Sequence, residues 1–339
     1  MINHINSTNL DVFIQRSSAF TTGGGLDVKR QLHSLRNIRS VLDVPLLQPA
    51  ALSDHDYVCS VTEIGNPEAP PIQKEKLMPE MLRVFETISG KKIKGFFPPE
   101  VGQESILLES AHYAQLPLID FDPVGFRAVP FVDISIFRLI NKSVSFTPAV
   151  IATDYGEIIS LSTPITYDRA EQIIRTMTTF SEHGCVLVLG EMKAVSEIKQ
   201  LAKKNRYSYQ QILYSKAAKL ENILYKERYI VVEKEEFEHT GFYCEILTIQ
   251  SKNSGKKHTL CILNEAVLLF NEERNLLYAV PERILLLNDT EDSGIATVDL
   301  SVGLSFRLCV MSPEPQWSTK EAQQLFGSER FSFFKGMIK

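Results

Sequence analysis

Ile93-Lys94-Gly95-Phe96-Phe97, followed by Pro98-Pro99-Glu100-Val101-Gly102-Gln103-Glu104-Ser105, then Ile106 to Gln115 and Leu116 to Phe121, is the stretch on which the fold turns. It predicts a strand, a helical crossover from Ile106 to Gln115, and a second strand ending at Asp120 and Asp122. Strands joined by a crossover of this length pair in parallel with a right-handed connection. Parallel strands end on one edge. Glu100 and the Asp120/Asp122 pair are therefore expected at one crevice outside the carboxyl ends of the sheet, where open α/β sheets hold ligands. Tyr57 to Thr62, stopped by Glu63-Ile64-Gly65-Asn66-Pro67, reads as a third strand bringing another loop to that edge.

Outward toward the amino terminus, Asn9 to Phe20 predicts a helix, stopped by Thr21-Thr22-Gly23-Gly24-Gly25, and Asp27 to Arg36 a second helix. Helix, glycine loop, helix differs from the strand-led dinucleotide fingerprint. Residues without Cβ nonetheless let backbone N–H groups approach a ligand, and a helix start carries partial positive charge. Pro79 to Ser89 reads as a helix closed by Gly90. Downstream, Phe146 to Thr153 and Glu157 to Leu161 predict a hairpin, Tyr167 to Glu182 a helix and Cys185 to Leu189 a buried strand. Glu191 to Asn205 and Ser208 to Leu224 read as further helices. From Tyr229 onward short apolar runs dominate: Tyr229 to Val232, Phe242 to Ile249, Thr259 to Leu263, Val267 to Phe270, Leu276 to Val280, Ile284 to Leu287, Ile295 to Val298 and Ser305 to Met311. Strands this short and close predict an antiparallel sandwich or barrel. At 339 residues two domains are expected, an α/β domain over 1–165 and a helical unit with an antiparallel β domain over 166–339.

A formal net charge of -5 argues against a nucleic-acid partner, because phosphate binding needs clustered cations. The small basic groups Lys91-Lys92 with Lys94, Lys203-Lys204 and Lys256-Lys257 read as solvated faces. No apolar stretch approaches the roughly 20 residues that span a bilayer, and Met1 to Leu10 lacks a basic start with an apolar run. A cytoplasmic protein without a membrane partner is expected. Cys59, Cys185, Cys244, Cys261 and Cys309 are widely spaced within apolar runs, which fits buried reduced thiols. The absence of paired Cys or His spacing argues against a structural zinc site.

Several pieces occur in an order that resembles the S-methyl thiohydantoin desulfurase-like family, which is related to hydantoin-utilisation proteins. They are Thr22-Gly23-Gly24-Gly25-Leu26-Asp27, Gly65-Asn66-Pro67, Glu100-Val101-Gly102-Gln103 and Asp120-Phe121-Asp122-Pro123-Val124-Gly125-Phe126-Arg127-Ala128-Val129-Pro130. His239-Thr240-Gly241-Phe242, Leu263-Asn264-Glu265 and Val280-Pro281 continue the likeness. The resemblance implies an α/β amino-terminal domain, a β-rich carboxyl-terminal domain, and attack on a hydantoin-type or thiohydantoin-type ring without an organic cofactor. The chain departs from the family pattern at Leu26, Gln103 and Pro123, where glycines are usual, at Phe126, which is inserted, and at Arg206-Tyr207, where a Gly-Thr step is usual.

Attack of water on a carbonyl or thiocarbonyl carbon needs a base for the water and donors for the charge that develops. The base role falls to Glu100 or Asp122, substrate orientation to Arg127, and the donors to the N–H groups of Gly23 to Gly25. Thr22, Gly65, Gln103 and Asp120 complete the expected binding set. Two carboxylates held close would raise one pKa toward neutrality. Each residue also has a structural reading: the glycines as a tight connection, Glu100 as a helix-end acid, Asp120 as a strand-end acid, and Arg127 as the internal partner of an acid. Glu100 with the two aspartates could instead hold a divalent cation, but no fourth ligand is evident. A non-catalytic binding relative, its site blocked by Leu26, Phe126 or Gln103, is the alternative. An accessory subunit of a hydantoinase or oxoprolinase-type enzyme is another, and a homo-oligomer is compatible with the chain.

Overall fold

The computed structural model describes residues 3–66, 68–140, 142–143, 145–202, 208–214, 220, 222–239, 242–291 and 293–337. Pro67, Lys203-Lys204, Asn205, Arg206-Tyr207 and Thr240-Gly241 lie outside the described residues.

The first sheet contains β1 (Asn3–Asn6), β2 (Asp43–Leu47), β3 (Tyr57–Gly65), β4 (Ile93–Phe97), β5 (Leu118–Ile119), β6 (Ala149–Thr153), β7 (Ile158–Leu161) and β8 (Cys185–Ala194). Its order is β1-β2-β5-β4-β3-β8-β6-β7. The four strands β2, β5, β4 and β3 run parallel, with Phe96 paired to Leu118 across β4 and β5 and Cys59 paired to Phe96 across β3 and β4. The expected parallel unit is present, and the carboxyl ends of β3, β4 and β5 share one edge. Its crossover is a helix over Glu104–Ala114, ended by Gln115 in the left-handed conformation.

Helices α1 (Leu10–Ser18), α2 (Val28–Ser34), α3 (Lys74–Ser89), α4 (Glu104–Ala114), α5 (Ile136–Leu139), α6 (Tyr167–Thr178), α7 (Val195–Ala202), α8 (Tyr209–Tyr214) and α9 (Lys320–Leu325) complete the α/β part and the carboxyl-terminal packing. Asp27 caps α2 by accepting from the Lys29 and Arg30 N–H groups. Gly90 closes α3 at φ 65°. Residues from β2, β4, α1, α3 and α4 share one apolar core with Leu285, Leu287, Cys309 and Met311 of the second sheet.

The second sheet is antiparallel: β9 (Ile223–His239), β10 (Phe242–Ser251), β11 (Lys257–Leu263), β12 (Glu265–Phe270), β13 (Leu276–Ala279), β14 (Arg283–Asn288) and β15 (Ser305–Met311). Its order is β13-β12-β11-β10-β9-β15-β14, and the two end strands β13 and β14 approach each other, so the sheet curls into a half-barrel. Register shifts in β10, β11, β12 and β15 supply the bending.

Three expectations need correction. β8 extends to Ala194, where Glu191 to Ala194 reads as helix, because pairing with β3 continues to Tyr57 and tertiary pairing outweighs local propensity. β9 begins at Ile223, inside the stretch read as a helix to Leu224. Ile295 to Val298 is not a strand: Gly294 forms an isolated bridge and Thr297–Asp299 a 3-10 turn. β1 and β2 carry no sequence signal, since β1 is polar and β2 contains Pro45, which argues against a strand. β8 sits between β3 and β6, so the chain passes to the second sheet after α8. All five cysteines are buried free thiols. Among the described residues no helix is long and apolar enough to cross a membrane.

Candidate functional site

A cavity of ≈ 130 Å³ lies at the carboxyl edge of the parallel strands, where the glycine loop and the start of β12 close over it. Glu100, which follows β4, is central to its wall. Gln103 fixes this carboxyl: the Gln103 oxygen accepts from the Thr62 hydroxyl at 2.7 Å and the Glu63 N–H at 2.9 Å. That network leaves the amide NH2 to donate to Glu100 Oε1. Val129 N–H donates to Glu100 Oε2 at 2.7 Å. Burial is the largest influence on Glu100 and pushes its pKa up to about 7, although these two hydrogen bonds and the nearby Arg175 favour the charged form.

Glu265 reaches the same cavity from the second sheet. Asn264, in the left-handed conformation at φ 57°, makes the turn between β11 and β12 and places Glu265 at the start of β12. Its side chain is 5% exposed and Oε2 makes no hydrogen bond. Burial, then the Glu100 charge, raises its pKa well above the ordinary carboxylate range, while Arg175 and Arg127 act the other way. Burial disfavours the charged form of such a carboxyl, because the hydration it loses is only partly replaced. The two glutamates therefore set a carboxyl raised to about 7 beside one whose charged form burial strongly disfavours.

Glu191 forms another part of the wall. Its Oε1 accepts from the Ser135 hydroxyl at 3.1 Å and the Tyr167 hydroxyl at 2.8 Å, and burial raises its pKa despite Lys193. It sits at φ 50°, a conformation that costs a non-glycine residue of order 1–3 kcal/mol. Arg175 lies in the lining with its guanidinium over the Phe242 ring at 4.0 Å, paired to Glu171 at 2.7 Å and donating to Pro130 O. Glu63 is paired to the buried Lys74 at 2.6 Å, and Lys74 also meets Glu109 at 3.1 Å.

Of the residues singled out from sequence, Glu100, Gln103, Gly25 and Gly65 line the cavity. Thr22, Gly23, Gly24, Asp120, Asp122 and Arg127 are outside its lining. Asp120 caps α8 by accepting from the Tyr209 N–H at 2.7 Å and also accepts from Gln48, which is the strand-end structural role. Asp122 accepts from the N–H groups of Val124, Gly125 and Phe126, so it organises its own loop. Its pKa is also raised to about 7, first by burial and further by Glu314. Arg127 donates to the carbonyls of Pro281 and Glu282 and lies over Phe326 at 4.6 Å, where burial and Arg283 lower its pKa to about 9. Asp122 and Arg127, expected as base and substrate clamp, make loop-holding contacts here.

The glycine loop is a clasp between the sheets. Thr22 O accepts from Ala266 N–H at 3.0 Å, Gly23 O from Thr297 N–H at 2.8 Å, and Gly102 O from Leu26 N–H at 3.0 Å. A Cβ on Gly24 would stand 2.4 Å from Glu265 Oε1, and one on Gly25 2.4 Å from Gly102 O. Gly24 N–H donates to Thr21 O, which commits one of the three expected donors. Phe126 packs edge-on against Phe20 and Tyr209 and does not line the cavity, whereas Leu26 forms part of its wall.

Sequence reading missed Glu265, Glu191 and Arg175. Glu265 stood within a quoted motif, but nothing local announced that the Asn264 turn would carry it to Glu100. Among the described residues no group of three or more His, Cys, Asp or Glu side chains is arranged to hold a metal ion.

Residues 9–163 match the family model described as S-Me-THD-like, N-terminal domain, and residues 172–337 match that described as S-Me-THD-like, C-terminal domain. No curated protein matches the chain. The fold is similar to the X-ray crystal structure of a Chromobacterium violaceum protein, with a TM-score of 0.71 at 16% identity, covering 98% of this chain and 97% of that one. With family models spanning nearly its whole length in the expected order, the chain belongs to the S-Me-THD-like, or S-methyl thiohydantoin desulfurase-like, family.

Proposed function

We propose that the chain hydrolyses or desulfurises a small hydantoin-type or thiohydantoin-type ring in the cavity bounded by Glu100 and Glu265. The observation that carries this reading is Glu100 itself: a carboxyl poised near neutrality, oriented by Gln103 and facing a cavity. The volume suits a small ring, since a cavity of about 150 Å³ accommodates benzene.

In the ionised form Glu100 takes a proton from water while the hydroxyl adds to the ring carbon. Negative charge develops on the carbonyl oxygen or thiocarbonyl sulfur, and the protonated Glu265 donates toward it or toward the leaving atom. In ring opening the C–N bond breaks and nitrogen takes the proton. In desulfurisation the C–S bond breaks and sulfur leaves as hydrosulfide, the carbon keeping the oxygen from water. Gly25 and Gln103 line the space in which the ring sits.

Turnover of hydantoin and 2-thiohydantoin, followed by loss of ring absorbance and release of sulfide, tests this reading. Wild-type turnover abolished by Glu100→Gln supports it; a near-normal rate in the variant removes Glu100 from the chemistry.

A further inference from the structure

The cavity carries a pronounced charge imbalance. Glu100, Glu191 and Glu265 line it and form no ion pair among the described residues. Its nearby cations are already engaged: Arg175 by Glu171 and the Pro130 carbonyl, Lys74 by Glu63 and Glu109. Lys193, the cation acting on Glu191, donates to Ser143. Glu265 is independently notable as a buried side chain with an oxygen lacking any hydrogen bond. A buried carboxyl in this state calls for a donor or positive charge from elsewhere.

Building on the reading of this site as one for small rings, we propose that the cavity selects a five-membered ring bearing cationic N–H nitrogen, a cyclic guanidine or amidine, over rings with an anionic substituent. Such a ring would give N–H donors to Glu191 and Glu265 and place positive charge beside Glu100. A ring carrying a carboxylate would instead meet three acidic groups, with Arg175 and Lys74 already paired to other carboxylates.

Binding to the whole folded chain tests the assignment with three probes of similar ring size: 2-aminoimidazoline as the cation, hydantoin as the neutral ring and hydantoin-5-acetate as the anion. Isothermal calorimetry is expected to show 2-aminoimidazoline binding about tenfold or more tighter than hydantoin-5-acetate. Its binding should release protons and weaken from about pH 8 to about pH 6, as Glu100 takes up a proton. The groups acting on that titration are Gln103, the Val129 N–H, Arg175, Glu104 and Glu265 around Glu100, with Arg127 acting on Glu265. Glu191→Gln, checked for folding by circular dichroism, should weaken the cation more than hydantoin.

Equal or tighter binding of the anionic ring, or no binding of the cation at millimolar concentration, overturns the assignment without recourse to any variant. Cation preference without turnover of hydantoin or thiohydantoin upholds this inference while sinking the catalytic reading. Turnover of those rings with no cation preference does the reverse.

Discussion

Asp122 and Glu100 are both buried carboxyls at the carboxyl edge of the first sheet, both raised to about 7, yet they occupy opposite circumstances. Asp122 accepts from three consecutive backbone N–H groups and is enclosed by its own loop. Glu100 has a side chain and one backbone N–H for partners and a cavity in front of it. The raised pKa is common to both and so does not identify the reactive group. What separates them is access, since the cavity and the Glu265 carboxyl lie in front of Glu100.

The sharpest break between the two carboxyls is in turnover. Glu100→Gln is expected to lower kcat by about 10²- to 10⁴-fold, the range for loss of a general base, with little change in stability. Equal losses of kcat from Glu100→Gln and Asp122→Asn, measured per folded molecule, would erase the distinction.

Asp122→Ala should act on stability instead. Three buried N–H groups lose their acceptor, at a cost of at least about 3 kcal/mol in denaturant unfolding. Gly24→Ala comes next. Its Cβ must displace the Glu265 carboxyl, so a stability loss of about 1–3 kcal/mol should accompany a fall in turnover, read by pairing unfolding midpoints with kcat.

The smallest effect sharpens the role of Gln103. If Glu100 works ionised, kcat/KM rises with pH through about 7 in the wild type. Gln103→Leu removes a donor that favours the ionised form, so the limb should move to higher pH by up to about one unit. A shift to lower pH would contradict the assigned hydrogen bond. The stability linkage has the opposite dependence: a carboxyl raised from its ordinary 4.5 to about 7 contributes stability below about 4.5 that is lost as pH climbs through 7.

The parallel unit around Glu100 was legible because crossover length, the order of apolar runs and strand-end acids all reported the same local arrangement. The second sheet was legible for the same reason, its strands being short, apolar and separated by turns. The cavity's far wall was not. Glu265 and Glu191 are 165 and 91 residues from Glu100 in the chain only by number; their meeting depends on sheet curl and on β8 entering between β3 and β6. Asp122 makes a related point: an acid after a strand looks the same in sequence whether its oxygens face a ligand or its own backbone.

Because β8 supplies the strand joining β3 to β6, a fragment ending at residue 163 would leave two strands with open ladders in the middle of a sheet. Unpaired edges of that kind recruit other chains. The division between the two matched family models is therefore a boundary of sequence bookkeeping, and expression of the first half alone should yield aggregates in place of an autonomous module.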